Sequence, residues 1–592
     1  MTFIADLRQR KLVQWSVAYV AAAFALLLGI DIVAQRFGWP EVVERVLIIA
    51  IFVGFFVTLL LAWYHGERGA QKASGTELLL LALLLAIGGG LLWKFSLSGA
   101  SRVHASSASA SAVVGDRRSI AVLPFVNMSG DKDNEYFSDG ISEEILNVLA
   151  RTPDLHVAAR TSSFSFKDKA MEVPAIARQL EVRMVLEGSV RKQGDRVRIT
   201  AQLIDARTGF HVWSQTYDRR LQDIFAIQDE IAKAIGDELE VKLADVRTPG
   251  RNSAGTKNLK AYDLYLRGIA LWNTRTVANL LQALALLDQA AKADPRYAEA
   301  YAGQALVYTV LPYFTDAIAI DECHRRASDL ALRALALNPN LPEVYTVLGN
   351  EAMARLNRDT GRALLGRAIA LRPSYATAHQ WLGTLTMSDG DRAAGLAEME
   401  KAVSLDPRAP VIGDNHAFVL LTLGRNADAR AGCAKVLLYA PEHSGCLQYI
   451  GLAWLAEGNV DAARPYLRKM AQLQDPSAQR EVDDLLAALS GKGGGHALAT
   501  RMAALPYGSN VVANSGNVFE DQVVSVLLVM LHEPELAMDY MARIAAVPGA
   551  SIDWAIRLPQ MDPLRCQPRF QAIVASLKTT DPVAVATCAG RH

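Results

Sequence analysis

Residues 342–373 read PEVYTVLGNEAMARLNRDTGRALLGRAIALRP, and residues 376–407 read ATAHQWLGTLTMSDGDRAAGLAEMEKAVSLDP. Small residues and a proline recur at the same places in both stretches, and the proline spacing continues beyond them. The prolines that lie 34 residues apart are Pro339, Pro373, Pro407 and Pro441. A fixed period of this length indicates a solenoid, in which one small structural unit is stacked repeatedly on itself.

The small residues indicate how each unit folds. They are Gly349, Gly383, Ala417 and Gly451 on a first helix, and Ala334, Ala368 and Ala402 on a second. A small side chain lets the partner helix approach, and each proline ends a second helix because it cannot donate the next backbone hydrogen bond. Helix pairs with this period are tetratricopeptide repeats, and about six of them are predicted within residues 259–476.

Beyond the repeats, residues 477–592 keep helical patterns but lose the period. The end of a solenoid often departs from its consensus, since its outer face has to meet solvent. We therefore expect an all-α tetratricopeptide-repeat solenoid with a C-terminal helical cap.

Before the repeats, the hydrophobic pattern of residues 118–247 alternates between apolar and polar positions, as in half-buried strands. The predicted strands are 119–125, 155–159, 183–192, 196–205 and 211–217, and the predicted helices are 137–151, 173–180 and 223–244. This order predicts a small α/β domain with a mixed sheet and helices packed on it. Residues 248–258 are expected to be a linker.

Three apolar runs precede this domain. Residues 13–30 and 46–64 are uncharged and long enough to cross a hydrocarbon core of about 30 Å at about 1.5 Å per residue. The third run, 78–93, spans only if the flanking Glu77 and Lys94 snorkel. A re-entrant or interfacial helix is its alternative, and a cleaved signal peptide is the alternative for the first run.

The chain is thus predicted to be a multi-pass protein of the inner (cytoplasmic) membrane. Residues 1–11 would be a cytoplasmic tail, residues 12–97 three transmembrane helices in the lipid bilayer, and residues 98–117 a flexible linker. Lysines and arginines favour a cytoplasmic N-terminus, and three crossings then put residues 98–592 in the periplasm.

Two stretches carry a resemblance. SIAVLPFVNMSGDKDNEYFSDGISEEI (119–145) and VRMVLEGSVRKQGDRVRITAQLIDARTGFHVWSQTYDRRLQDIFAIQDEIA (182–232) resemble the TolB amino-terminal-like, or FlgO-like, domain of bacterial membrane proteins that continue into tetratricopeptide repeats. FIADLRQRKLVQWSVAYV (3–20), FGWPEVVERVLIIAIFVGFF (37–56) and DPLRCQPRFQAIVASL (562–577) look like other parts of one branch of that family.

The resemblance implies sensing or scaffolding by protein contact, and it supplies no catalytic residues. Other branches carry a winged-helix DNA-binding domain or a class III adenylyl cyclase domain ahead of the membrane. Since so few residues precede the first apolar run here, we expect neither domain.

Composition and sequence motifs limit the functions that this chain can have. Lysine plus arginine and aspartate plus glutamate number 61 each, so the basic surface of a nucleic-acid-binding protein is not expected. The five cysteines form no CxxC, and no HExxH or GxSxG occurs. We expect no enzyme, cofactor or metal. Cys433 and Cys446 fall on neighbouring repeat helices and could pair, but the core position of Cys433 favours a buried free thiol.

The predicted ligand surface is a groove lined by the first helices of the regular repeats, called here the predicted groove. Its side chains are Asn350, Met353, Gln380, Thr384, Met387, Asp414, Phe418, Leu421, Gln448, Leu452 and Leu455. None is basic, so a clamp for a peptide carboxylate is missing, and an apolar helix or extended segment of a protein is the expected partner. Alternatively, the C-terminal helices fold back and fill the groove.

Together these features predict a membrane-anchored protein-interaction scaffold of the cell envelope. One alternative is a signal-transducing receptor whose extracytoplasmic domains sense a ligand or partner and signal through the membrane helices to a separate cytoplasmic effector. Another is a small-ligand sensor or vestigial enzyme in the α/β domain, since a crevice at strand ends can hold a ligand.

Overall fold

The described residues form one compact unit, in which a small α/β domain contacts an array of helix pairs. The computed structural model describes residues 118–131, 134–152, 154–239, 255–274, 276–315, 318–473, 476–504, 521–546 and 555–577.

The α/β domain contains a mixed sheet with helices on both faces. Its strands are β1 (Ser119–Val122), β2 (Val126–Asn127), β3 (His156–Val157), β4 (Met184–Gln193), β5 (Arg196–Asp205) and β6 (Phe210–Arg220). Its helices are α1 (Glu135–Leu149), α2 (Arg160–Phe164), α3 (Val173–Leu180) and α4 (Ile224–Glu238). The strand order is β3-β1-β4-β5-β6, with β2 also paired to β4. The first three strands pair with one another or with β4 in parallel, and β4, β5 and β6 form an antiparallel meander.

Alternation along the strands explains which face of the sheet is covered. In β5, Val197, Ile199 and Ala201 are buried, whereas Arg196 and Arg198, which alternate with them, are exposed. The buried side chains belong to the same hydrophobic core as those of α1 and α4. The period of two therefore separates a core face from a polar face, as the sequence predicted.

One glycine fixes the spacing of the meander. A Cβ atom on Gly188 of β4 would lie 2.4 Å from the backbone oxygen of Thr200 on β5 and 2.9 Å from the Phe125 ring. Backbone atoms cannot move aside as a flexible side chain can, so only glycine fits at this position of the strand.

The repeat array consists of six helix pairs. They are pair 1, α5 (Leu259–Thr274) and α6 (Val277–Ala293); pair 2, α7 (Ala298–Val310) and α8 (Ile320–Leu337); pair 3, α9 (Pro342–Ala354) and α10 (Arg358–Leu371); pair 4, α11 (Ala376–Ser388) and α12 (Arg392–Leu405); pair 5, α13 (Pro410–Thr422) and α14 (Asn426–Leu437); pair 6, α15 (Ser444–Ala456) and α16 (Val460–Gln472). The first helices of pairs 1 and 2, 2 and 3, 3 and 4, and 5 and 6 also touch one another, which places them on the inner side of the array. This is the architecture of a tetratricopeptide-repeat solenoid.

The small residues act within the pairs as predicted. A Cβ atom on Gly349 would lie 2.9 Å from Cγ of Leu365, a buried residue of the second helix of the same pair. Second helices often begin with a side-chain cap: Asp391 accepts a hydrogen bond from the Ala394 amide at 3.0 Å. Such caps satisfy backbone donors that the first helical turn leaves free.

Helices continue after the array. They are α17 (Pro476–Leu489), α18 (Gly495–Ala503), α19 (Asp521–Met530), α20 (Pro534–Ala545) and α21 (Pro568–Ser576), with short 3-10 turns at Ala555–Arg557 and Pro559–Met561. Their buried side chains share one hydrophobic cluster with pairs 5 and 6. The C-terminal region is therefore part of the same core.

A disulfide joins Cys433 of α14 to Cys446 of α15, with the two Cα atoms 5.0 Å apart. The expectation of buried free thiols is wrong at these two positions, although both sulfurs are buried as expected. Stacking of consecutive pairs brings the end of one second helix against the start of the next first helix, so the residues meet. The bond links pair 5 to pair 6.

The membrane prediction is corrected. The three transmembrane helices were placed at residues 12–97, which lie outside the described residues, and no helix that the structure describes is both long enough and apolar enough to cross a bilayer. The described helices instead mix buried and exposed positions, as α8 does with Ala327 buried and Leu332 exposed. The fold class becomes a mostly helical repeat protein with a small mixed sheet. A multi-pass inner-membrane location, with a cytoplasmic N-terminus and periplasmic residues 98–592, is not supported.

Candidate functional site

The predicted groove is covered by the chain itself. Seven of its side chains are buried: Gln380, Met387, Phe418, Leu421, Gln448, Leu452 and Leu455. The other four are half-buried: Asn350, Met353, Thr384 and Asp414. A partner could reach the buried seven only after other parts of the chain moved away.

Some of these side chains are covered by neighbouring repeats. Met387 packs between the helices of its own pair, where its Cγ lies 2.5 Å from the position a Cβ atom on Gly395 would take. Phe418 stacks on Tyr449 of the next pair, with ring centroids 4.9 Å apart. The repeat register identified these positions, but it did not show which of them point into the stack.

The C-terminal region also lies against the array. Arg557, only 2% exposed, donates a hydrogen bond from Nη2 to the Ser388 carbonyl at the end of α11, at 3.2 Å. Arg358 at the start of α10 donates to the Leu577 carbonyl at 3.3 Å. The C-terminal region thus contacts the end of α11 and the start of α10.

The α/β domain occupies the inner side of pair 1. Helix α1 packs on α5, because Gly140 has no side chain: a Cβ atom there would lie 2.7 Å from both methyl groups of Leu266. Tyr262 of α5 is buried in the core of the α/β domain, where its hydroxyl accepts a hydrogen bond from Gln228 of α4 at 2.8 Å. The first repeat therefore completes the core of the α/β domain.

Polar contacts border this packing. The Tyr136 hydroxyl of α1 donates a hydrogen bond to Asp263 of α5, and Arg267 lies over the Tyr136 ring, 4.7 Å from its centroid. Burial and the Asp263 contact raise the pKa of Tyr136 to about 12. The hydroxyl therefore remains a donor at neutral pH.

A second contact closes one edge of the sheet. Strand β3 lies at that edge, and Ser374 in the loop after pair 3 bridges it: its hydroxyl accepts from the Val157 amide at 3.3 Å and donates to the Leu155 carbonyl at 3.1 Å. The Ala159 amide donates to the Leu405 carbonyl at the end of pair 4, at 2.9 Å. Repeat residues thus satisfy backbone groups that an edge strand would otherwise expose.

Asp406, in the loop after pair 4, caps α2 from outside the α/β domain. Its Oδ1 accepts hydrogen bonds from the amide of Ser162 at 2.9 Å and from its hydroxyl at 2.5 Å. No side chain of the α/β domain caps this helix at its own N-cap residue, Ala159. Burial raises the pKa of the Asp406 carboxyl to about 6, although these hydrogen bonds act in the opposite direction.

Arg408 extends the same contact. Its amide donates to the Ser162 hydroxyl at 2.8 Å, and its guanidinium donates to the Ser165 hydroxyl at 2.5 Å and to Oε1 of Gln179 at 2.8 Å. The guanidinium also lies over the Phe166 ring, 4.7 Å from its centroid. Loop 406–408 therefore holds both α2 and the end of α3.

A charged layer lies deeper in the interface. Arg372 donates to Glu343 of α9 at 2.6 Å, and Arg151 of the α/β domain adds a second positive charge nearby. Burial would raise the pKa of the Glu343 carboxyl, but the two arginines outweigh it and hold that pKa below its usual value. The carboxylate stays ionised and keeps both cations in place.

A small cleft lies between α1 and α5. Three of its lining residues are acidic, and two of them are paired: Asp139 with Lys167 at 2.7 Å and Glu143 with Arg160 at 2.6 Å. Burial, with the neighbouring Glu143 charge, raises the pKa of Glu144 to about 8. No group of three or more His, Cys, Asp or Glu in the described part of the chain could hold a metal ion.

Comparisons with known proteins cover parts of the chain. Residues 116–234 match the family described as HilA/YgeH-like transcriptional regulator, second domain. This stretch is the α/β domain, which the sequence had assigned to the TolB amino-terminal-like or FlgO-like family; that assignment stays a prediction.

One curated relative, "Putative adenylate cyclase 3" of Rhizobium meliloti (strain 1021), is 43% identical over 189 residues, which is 32% of this chain and 32% of the relative. The chain therefore spans about a third of that relative's length in the match.

Several solved repeat proteins are similar to the array. One, from a study of Pseudomonas aeruginosa pilF, is 18% identical with a TM-score of 0.29, and it covers 38% of this chain and 97% of its own. TTC0263, a tetratricopeptide-repeat protein of Thermus thermophilus, is 23% identical with a TM-score of 0.29, covering 33% of this chain and 99% of its own.

Proposed function

We propose that this chain is a non-enzymatic protein-interaction scaffold, in which the repeat array holds the α/β domain and the α/β domain meets the partner. The observation that carries the proposal is the interface itself. Pair 1 completes the core of the α/β domain, and the loops after pairs 3 and 4 hold β3 and α2. The array thus already binds one protein domain, the α/β domain of its own chain.

The proposed partner is a protein. Equal numbers of basic and acidic residues, 61 each, disfavour binding to nucleic acid through its phosphates. Helix α1 covers the inner helix of pair 1, and neighbouring repeats cover groove residues such as Phe418, so we expect a partner to meet the α/β domain first. The resemblance to the TolB-like and FlgO-like family supports the same contact-based role.

The scaffold role can be tested with a variant in which the contacts between the α/β domain and the repeat array are weakened. The full chain would be immobilised beside a variant carrying Ser374→Ala and Asp406→Ala, and a partner protein identified on the unmodified chain would be titrated against both. We expect the double variant to bind it at least tenfold more weakly, because α2 and β3 lose their outside support. Asp294→Ala is the matched control, since Asp294 lies in the corresponding loop after pair 1 and contacts Thr256.

Binding that is unchanged in the double variant would show that the docked arrangement is not what the partner recognises. Circular dichroism of each variant would confirm that the helices remain folded, so that a loss of binding reports the interface.

Catalysis is tested separately. The named relative suggests one reaction, the cyclisation of ATP, which can be assayed with the full chain and Mg²⁺ or Mn²⁺. We expect no cyclic AMP above that of heat-denatured protein. Turnover that depends on the metal ion would overturn the non-enzymatic part of the proposal.

A further inference from the structure

The two edges of the sheet differ in how their backbone groups are satisfied. At β3, Ser374 and Leu405 of the repeat array supply hydrogen-bond partners. At β6, no described residue pairs with the outer edge, although the inner edge pairs with β5 from Arg196↔Arg220 to Asp205↔Phe210. An unpaired edge of this kind is a template for another strand.

Strand β6 is long enough to define a specific partner. It spans Phe210–Arg220, which at about 3.4 Å per residue gives an edge roughly 35 Å long. Most of its side chains are exposed. An edge of this length accommodates an extended segment of about ten residues.

One end of this edge is positive. The arginines there are Arg196, Arg198, Arg219 and Arg220. Asp218 pairs with the first two of them, at 2.6 and 2.7 Å, and Glu230 lies 3.7 Å from the third. Arg220 has no ion pair with any described residue. Asp195 in the adjoining turn also acts on Arg196, so four arginines at this end stand against three carboxylates, and this excess favours an acidic ligand.

The other end carries an exposed aromatic side chain. Phe210, the first residue of β6, is 75% exposed, more than most large hydrophobic side chains of the chain. Charged residues alone would protect an edge against unwanted strands. Here an exposed aromatic ring at one end of β6 can bind an apolar side chain, and the arginines at the other end can select the ligand. A basic strand would be repelled by these arginines, and a neutral strand would form no ion pairs with them.

We propose that the β6 edge binds an extended acidic segment of a partner protein by strand addition. The segment adds backbone hydrogen bonds along β6, places carboxylates beside Arg219 and Arg220, and covers Phe210 with an apolar side chain. This inference rests on the proposed scaffold function and specifies where the partner binds.

The test uses a display library of random twelve-residue peptides selected on the full chain. Selected peptides are then titrated against the unmodified chain and against Phe210→Ser, Arg220→Glu and the double variant. The matched control is Arg178→Glu, which reverses the charge of an exposed side chain on α3 of the same domain. Hydrogen exchange of residues 210–220 is measured with and without peptide.

Three results are expected. The selected peptides are acidic, each single substitution weakens binding at least fivefold and the double variant at least fiftyfold, and the peptide slows amide exchange along β6. Peptides in which acidic residues are replaced by lysine bind Arg220→Glu better than the unmodified chain. Arg178→Glu changes binding less than twofold.

The proposal is overturned if no peptide is enriched, if the enriched peptides are not acidic, or if binding leaves exchange along β6 unchanged. It is also overturned if β6 becomes protected with rising protein concentration alone, because the edge would then pair with a second copy. None of these outcomes depends on docking through Ser374 and Asp406, so the proposed scaffold function is tested independently.

Discussion

The same tripeptide, Asp-Pro-Arg, occurs in two inter-repeat loops with different partners. After pair 1, Asp294 accepts hydrogen bonds from the Thr256 hydroxyl at 2.5 Å and from the Arg296 amide at 3.0 Å, both close to its own repeat. After pair 4, Asp406 accepts from Ser162 of the α/β domain instead. The comparison teaches that position along the solenoid, and not local sequence, decides which loop holds the other domain.

The loops between them show intermediate cases. Asn338 after pair 2 donates to Glu299 of α7 at 3.1 Å, which is a contact inside the array. After pair 3, Arg372 also pairs inside the array, with Glu343, while Ser374 two residues later reaches β3. Among the loops that join the pairs, contacts with the α/β domain thus begin after pair 3 and become most extensive after pair 4.

Of the substitutions in these loops, Arg372→Ala should lower the free energy of unfolding the most. Arg372 is 7% exposed, and its loss leaves the half-buried Glu343 carboxylate without its nearest positive charge. We expect a loss of about 3–5 kcal/mol in the free energy of unfolding, measured by denaturant titration. Arg367→Ala, which removes an exposed arginine of α10, is the control, with an expected loss below about 0.5 kcal/mol. A loss below about 1 kcal/mol for Arg372→Ala would contradict the importance given to the charged layer.

Asp406→Ala should come next. It removes the outside cap of α2 and leaves the Ser162 amide without its acceptor, so we expect a loss of about 2 kcal/mol. Hydrogen exchange at Ser162 and Ala159 should accelerate by more than tenfold, while exchange within α5 stays unchanged. Equal acceleration in both places would mean that the substitution loosens the whole unit and not this contact.

The pH dependence of the Asp406 contact is a third test. Because burial raises its pKa to about 6, the native state binds more protons than the unfolded state between about pH 4 and pH 6. The contribution of this group to stability is therefore greatest below that window and falls as the pH rises through 6.

The measurement compares the unmodified chain with Asp406→Asn, which cannot titrate at this position. The stability of the unmodified chain relative to the variant should fall by roughly 1–3 kcal/mol between pH 4 and pH 7. Denaturation midpoints at four pH values give this difference. A constant difference would show that the Asp406 carboxyl is not held at a raised pKa.

Asp294→Ala should have the smallest effect. It removes local hydrogen bonds at the edge of pair 1, and we expect a loss of about 0.5–1 kcal/mol. Exchange at Ser162 should not change. If it accelerated as in Asp406→Ala, the two loops would be coupled through the array and the comparison between them would fail.

Regular features of the fold could be predicted from the sequence because they repeat. The period of 34 residues located the helix pairs, and alternation located β4, β5 and β6 to within a few residues. Both patterns are read from many positions at once, so no single residue decides them.

The interface could not be predicted in the same way, because each contact depends on one side chain and a distant partner. Asp406 and Ser374 follow helix ends where such residues are expected in any case. Gly140 looked like an unremarkable small residue of α1, and nothing nearby in sequence pointed to Leu266. For the same reason the sequence did not show that Phe418 of the predicted groove is covered, because the Tyr449 ring that stacks on it lies in another repeat.

The α/β domain touches pair 1 through α1 and also the loops after pairs 3 and 4. In an ordinary solenoid each unit meets only its neighbours, so the ends fray first and disorder spreads inward. Here the α/β domain connects repeat pairs that are not adjacent in the array. Peeling pair 1 away would also open the core of the α/β domain, so this half of the molecule should melt as one block instead of unzipping pair by pair.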